Sequence, residues 1–128
     1  MSGEADLSRL LSALAPLRRP GEFVFVTSPL PLDATAEAMV RETEGLTYVL
    51  RRDDADRRGL PYDLVAAWIT LEVHSALDAV GLTAAVSGAL AEAGISCNVV
   101  AGYFHDHLLV PADRVDAALR ILRSLAPT

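Results

Sequence analysis

The feature of this sequence that most constrains its fold is the order of apolar patterns in its second half. Segments that alternate between two faces, as strands do, are interrupted by segments with apolar residues at helical spacing. The predicted strands are Ala66–Val73, Ile95–Gly102 and His107–Val110, and the predicted helices are Leu82–Ala93 and Asp113–Leu125. The order strand, helix, strand, strand, helix is that of a ferredoxin-like βαββαβ unit without its last strand.

The first half predicts part of the same arrangement. Its predicted elements are a helix over Ser2–Leu17, strands over Glu22–Thr27, Ala38–Glu42 and Leu46–Arg51, and a short helix over Asp53–Arg58. Asp53 or Asp54 is expected to cap the start of the short helix, and Gly59 its end. The connection between the first two strands is too short for a helix, so this half is incomplete. Leu60–Asp63 resembles a linker, which divides the chain into residues 1–62 and 63–128.

Composition excludes several classes of partner. The chain has 128 residues, 52% of them hydrophobic, which is enough for a packed core. The net charge is −6, the chain contains no lysine, and its arginine pairs lie among acidic residues. A nucleic-acid partner is therefore not expected, because binding to phosphates uses clustered basic residues.

Nothing in the sequence indicates a membrane or secreted protein. No apolar run approaches the roughly 20 residues that cross a bilayer. The polar start, Met1–Asp6, lacks the basic and apolar regions of a secretory signal. The single cysteine, Cys97, excludes an internal disulfide and a cysteine-rich zinc site. We therefore expect a cytoplasmic protein with no membrane contact.

These patterns predict an α+β protein, within the broader α/β class, whose two halves contribute to an antiparallel-rich sheet. Both long helices are expected on one face of that sheet. The other face, around Trp68 and Thr70, would then have no cover, and an exposed apolar sheet favours a partner. We therefore expect a homodimer or a higher oligomer.

Five segments in order carry a resemblance to a known family: GEFVF, EGLTYVL, GLPYD, VHSALDAVGLTAAV and AGYFHDHLLVP. Together they resemble a family of short bacterial proteins with tandem ACT-like domains, over about residues 10 to 123. That family is similar to the regulatory modules of aspartokinases and to the cytosolic arginine sensors of animals. The resemblance implies a ferredoxin-like ACT fold in two tandem halves, the first incomplete. It also implies regulation through a small ligand, often an amino acid, bound between paired modules. No cofactor is expected.

The loop before the helix Leu82–Ala93 is the first candidate site for such a ligand. The N–H groups at Gly81 and Leu82 open a helix and can hold a carboxylate, and glycine permits close approach. Asp78 could accept the ammonium group of a zwitterion, and Val80 lies between the two. The alternative is that this loop only caps the helix and turns the chain.

Asn98 is the second candidate, because asparagine is depleted in strand interiors and a buried amide needs partners. It shares a strand face with Ser96 and Val100. Within one half it is expected to lie away from the helix start, so a partner half would have to bring it to the ligand. The alternative is a sheet residue that bonds a neighbour or solvent.

Metal binding and catalysis are weaker interpretations. His105-Asp106-His107 could chelate a metal, but the segment falls where a hairpin must turn, and only His74 could add a third imidazole. His74, Ser75 and Asp78 do not make a triad, since adjacent strand residues point to opposite faces. Cys97 is expected to be structural. Neither a catalytic residue nor a metal ligand is predicted. The alternatives to a ligand-binding regulator are an interaction module of ACT fold without a ligand and a small metal-dependent enzyme.

Overall fold

A computed structural model describes residues 6–73 and 79–126 of the chain. The strands are β1 (Pro16–Ser28), β2 (Ala38–Glu42), β3 (Gly45–Arg51), β4 (Val65–Leu71), β5 (Asn98–Ala101) and β6 (Asp106–Pro111). The helices are α1 (Leu7–Ala13), α2 (Arg52–Arg57), α3 (Leu82–Glu92) and α4 (Val115–Arg123), the last preceded by a 3₁₀ turn at Ala112–Arg114. None of these helices, within the described ranges, is long and apolar enough to cross a bilayer.

The six strands form one sheet in the order β2-β3-β1-β4-β6-β5, and every pairing in it is antiparallel. The predicted α+β class and ferredoxin-like arrangement are therefore confirmed. Strand β1 joins the two halves, because its second part pairs with β3 and its first part pairs with β4 from Pro16↔Leu71 to Arg19↔Trp68. The first part of β1 thus occupies the position beside β4 that the missing last strand of the βαββαβ unit would fill.

A bulge separates the two parts of β1. The register shifts between Arg19 and Phe23, and Gly21 has a φ of 96°. Pro20 fits here because it has no N–H to offer a ladder, and Gly21 fits because a positive φ carries little steric cost without a Cβ.

All four helices pack on one face of the sheet, as expected for the two long ones. Against β4 and β6, this face holds a core of apolar side chains from α1, α3 and α4, among them Leu10, Val86, Leu90, Leu119 and Leu122. Helix α2 covers the other end through Ala55, which packs with Val24 and Leu50. The apolar residues that recur at helical spacing in α3 and α4 are thus the ones buried against the sheet.

Several predicted boundaries are wrong. Helix α1 ends at Ala13 rather than Leu17, because Pro16 and Leu17 pair with β4; Ser2–Ala5 lie outside the described residues. Strand β5 holds only the middle of the predicted Ile95–Gly102, since its register partners on β6 run from Leu109 to Asp106. In α2, Asp53 and Asp54 lie in the first turn, and the cap position is Arg51, which makes no side-chain capping bond.

Candidate functional site

The start of α3 is formed by a glycine in a conformation that other residues avoid. Gly81 has φ 103° and ψ −20°, and its carbonyl accepts the N–H of Ala85 at 2.9 Å, the first bond of the helix. Glycine has no side chain with which to cap the helix. Within the described residues, no side-chain oxygen accepts from the N–H groups of Leu82 or Thr83. The first turn therefore presents backbone donors and the positive end of the helix dipole.

The residues around this turn differ in what they offer. Val80 is 82% exposed, so its side chain is accessible to a ligand, whereas Leu82 is 3% exposed and packs into the core. Leu82 can therefore contribute only its N–H. On the side where a Cβ would project from Gly81, Leu7 Cδ2 of α1 would lie 3.1 Å away, so α1 closes that side. Asp78 lies outside the described residues.

Asn98 lies far from this turn within the same chain. It begins β5, where it pairs with Leu109 and is level with Trp68 on β4. Its side chain is exposed and shares the face of Trp68 and Leu109, opposite to the face that α3 covers. The structure therefore brings Val80, Gly81 and Leu82 together and separates Asn98 from them.

His107 belongs to a polar cluster on the sheet rather than to a group of metal ligands. Its Nδ1 lies 3.0 Å from Thr70 Oγ1 and accepts from Trp68 Nε1 at 3.3 Å. Burial holds the pKa of His107 below its usual range, helped by His105 and Arg19 and opposed by Asp106. No group of three histidine, cysteine or acidic side chains placed to hold a metal occurs within residues 6–73 and 79–126.

Cys97 is half-buried beside the helix-covered core, and burial raises the pKa of its thiol. A raised pKa disfavours the thiolate, which is the reactive form.

The face opposite the helices is closed by arginines, which sequence reasoning missed. The Arg19 guanidinium lies 5.1 Å from the Phe23 ring and 5.2 Å from the Trp68 ring, and Arg51 lies 5.3 Å from Phe23. Glu37 pairs with Arg19 at 2.8 Å and with Arg51 at 3.8 Å. Trp68 is consequently only 5% exposed, although no helix covers it. The pairing Arg19↔Trp68 that makes this possible is a long-range register, which no local pattern indicates.

A second feature missed at the sequence level is a charged cavity of about 400 Å³ at the end of β3. Its lining combines arginines and carboxylates from α2, from β3 and from the segment before β2: Thr35, Glu37, Arg51, Asp53, Asp54, Arg57 and Arg58. The signal in the sequence was the run Arg51–Arg58, in which acidic residues lie between two arginine pairs. The sequence alone predicts only that Arg51 ends a strand and that Asp53–Arg58 form a short polar helix.

Comparison with known proteins identifies the class. An ACT domain family matches residues 2–67, and a second ACT domain family matches residues 64–124. A protein of unknown function from Vibrio cholerae, described as a possible transport protein, is 42% identical with a TM-score of 0.86, over 94% of this chain and 96% of its own. The fold and these matches define a protein built from two ACT domains in tandem. The chain belongs to the ACT domain family.

More distant structures share the fold. A protein from Agrobacterium tumefaciens is 21% identical with a TM-score of 0.65, over 88% of this chain and 89% of its own. The ligand-free regulatory subunit of aspartate kinase from Thermus thermophilus is 10% identical with a TM-score of 0.66, over 88% of this chain and 97% of its own. No match was found among curated proteins.

Proposed function

We propose that this protein is a non-enzymatic regulatory protein that binds a free amino acid at the start of α3. The observation that carries the proposal is the first turn of α3, which opens at Gly81 with backbone donors that no described side chain caps. These donors suit a carboxylate, because the helix dipole adds a partial positive charge at the same place. Val80, exposed beside them, can contact the rest of the ligand.

The ammonium group of the ligand is assigned to Asp78. This carboxylate precedes Gly81 by three residues in the sequence. A zwitterion needs an anion and a cation partner a few ångströms apart, and a charge-assisted hydrogen bond to Asp78 provides the second. The regulatory role is supported by the two ACT domains and by the shared fold of the aspartate kinase regulatory subunit.

We infer further that a second copy of the chain pairs with β5. Of the two edges of the sheet, β2 carries Arg41 and Glu42, whereas β5 reads Asn-Val-Val-Ala and carries no charge. Charged side chains are a common protection of a sheet edge against pairing, and β5 lacks it. In an antiparallel pair centred on Val99, the partner's Asn98 would lie beside Val100. That position is nearer the end of the sheet where α3 begins, but opposed residues of an antiparallel pair point to the same face, so the Asn98 side chain stays on the face away from α3. Asn98 is therefore not assigned to the ligand at the start of α3.

Ligand binding is tested by thermal shift against the twenty common amino acids, followed by calorimetry. A ligand that binds only the native state raises its stability by about 2.7 kcal/mol at one hundred times the dissociation constant. Asp78→Ala should cost about 1.5–3 kcal/mol of binding, or roughly ten- to hundredfold in affinity. Asp63→Ala, an exposed aspartate in the linker before β4, is the matched control. If Asp78→Ala binds as tightly as Asp63→Ala, the site is not at the start of α3.

The pairing is tested by light scattering, which should give twice the 13.6 kDa of one chain. Val99→Lys places a charge on the β5 edge and should yield monomers. Val40→Lys places the same charge on the β2 edge and should leave the dimer intact. A wild-type monomer at tens of micromolar, or a dimer lost in Val40→Lys instead, would reject this interface.

A further inference from the structure

The charged cavity at the end of β3 lies in the other half of the chain from the start of α3. It is open to solvent and lies between the segment before β2, the last residue of β3 and α2. Its volume of about 400 Å³ is within the range of small-molecule sites. Three arginines and three carboxylates line it, so the cavity as a whole is neutral although the chain carries a net charge of −6.

The arginines around the cavity outnumber the carboxylates that pair with them. Asp54 forms ion pairs with both Arg57, at 3.0 Å, and Arg58, at 3.1 Å. Glu37 likewise forms ion pairs with both Arg19 and Arg51. Each guanidinium has five N–H donors, and the side chains of Arg57 and Arg51 are 71% and 45% exposed. Both therefore retain donors for an additional carboxylate.

Asp53 supplies the opposite charge. Its carboxylate makes no hydrogen bond or ion pair with any other described residue, although Arg51 and Arg57 line the same cavity. The cavity thus has spare cationic donors and an unpaired anion. A monovalent ion would be attracted by one and repelled by the other, whereas a molecule with both charges satisfies both.

Contacts with neighbouring residues position the Arg51 side chain. A Cβ on Gly21 would lie 2.8 Å from Arg51 Nη1, so the guanidinium lies directly over the bulge of β1. The same guanidinium packs on the Phe23 ring and contacts Glu37, whose own N–H donates to Val49 at 2.8 Å. A cation fixed in advance loses less freedom when a ligand binds.

We propose that this cavity is a second binding site, for a small zwitterion that carries a carboxylate and an ammonium group. Arg51 and Arg57 bind the carboxylate, and Asp53 binds the ammonium group. The site uses none of the residues at the start of α3, so it stands or falls independently of the proposed function.

The test is calorimetry with the twenty common amino acids and glycylglycine, followed by the N-acetyl and carboxamide derivatives of each binder. At least one zwitterion should bind, and both derivatives should bind at least tenfold more weakly because each lacks one charge. Asp53→Asn and Arg57→Gln should each weaken binding at least tenfold. Both side chains are at the surface, so the melting temperature should stay close to that of the wild type. Asp116→Asn and Arg120→Gln on α4 are the matched controls and should bind normally.

Outcomes at the two sites separate the two proposals. If Asp53→Asn abolishes one binding event and Asp78→Ala abolishes another, both sites exist. If all binding disappears in Asp78→Ala and none changes in Asp53→Asn or Arg57→Gln, the site at α3 stands and the cavity is not a site. The cavity proposal is also overturned if no zwitterion binds, or if the derivatives that lack one charge bind as well as their parents.

Discussion

The two faces of the sheet bury apolar side chains equally well by different means. On the helix-covered face, Leu90 and Leu108 are 0% and 1% exposed, covered by apolar side chains of other elements. On the opposite face, Phe23 and Trp68 are 0% and 5% exposed, and the Arg19 guanidinium lies over both rings. Low exposure therefore does not indicate what a residue contributes to stability, because a tightly packed helix and a flexible arginine give the same exposed fraction.

The largest expected effect is on the helix-covered face. Leu90→Ala should lower the free energy of unfolding by about 2–5 kcal/mol, because α3 cannot close the cavity that remains. Chemical denaturation followed by circular dichroism measures the loss. Glu92→Ala, exposed in the last turn of the same helix, should change stability by less than about 0.5 kcal/mol. A loss below about 1 kcal/mol for Leu90→Ala would show that this face is loosely packed.

A smaller effect is expected on the arginine-covered face. Arg19→Ala removes two cation–π contacts and should cost about 1–2 kcal/mol in total. The chain has one tryptophan, so its fluorescence reports directly on this face. Emission should move to longer wavelength in Arg19→Ala as water reaches Trp68. Arg19→Met keeps an unbranched side chain without the charge. It therefore distinguishes the stability that comes from covering the rings from the stability that comes from cation–π attraction. Unchanged emission in Arg19→Ala would mean that Trp68 is covered by something else.

The smallest effect concerns pH on the same face. The pKa of His107 is lowered in the folded protein, so below about pH 6.5 the unfolded chain binds more protons there. The stability that neutral His107 contributes should therefore be fully retained above about pH 6.5 and fall as the pH decreases from there toward the folded pKa. The urea midpoint at about pH 5.5 and pH 7.5 should differ more in the wild type than in His107→Gln. An equal difference in both proteins would assign the pH dependence to other groups.

Local patterns predicted the elements whose stability comes from their own neighbours. The bounds of Ala38–Glu42 agree with the prediction, and so does the start of α3 at Leu82, which the apolar stripe of the helix indicates. The first part of β1 was not, because Pro16–Arg19 becomes a strand only by pairing with β4. The same long-range register places Arg19 over Trp68. The sequence therefore indicates correctly that no helix covers Trp68, but it does not reveal that an arginine does.

For the candidate site residues too, local patterns were predictable and long-range contacts were not. Val80 and Gly81 could be placed at a helix start because the apolar stripe of α3, which is a local pattern, begins directly after them. The cavity at the end of β3 could not be predicted. It requires Arg51 from β3, Arg57 from α2 and Glu37 from before β2 to converge.

The strand shared by the two halves also has a consequence for the order in which the chain is made. Helix α1 and the first part of β1 are synthesised before the second half, yet Leu7 lies beside Gly81 and Pro16 pairs with Leu71. These two segments can therefore complete their packing and pairing only after β4 and α3 have been synthesised. A gene cut between the two sequence halves would separate α1 from α3 and leave one side of β4 without its neighbour. Each half therefore needs the other to complete its sheet and its core.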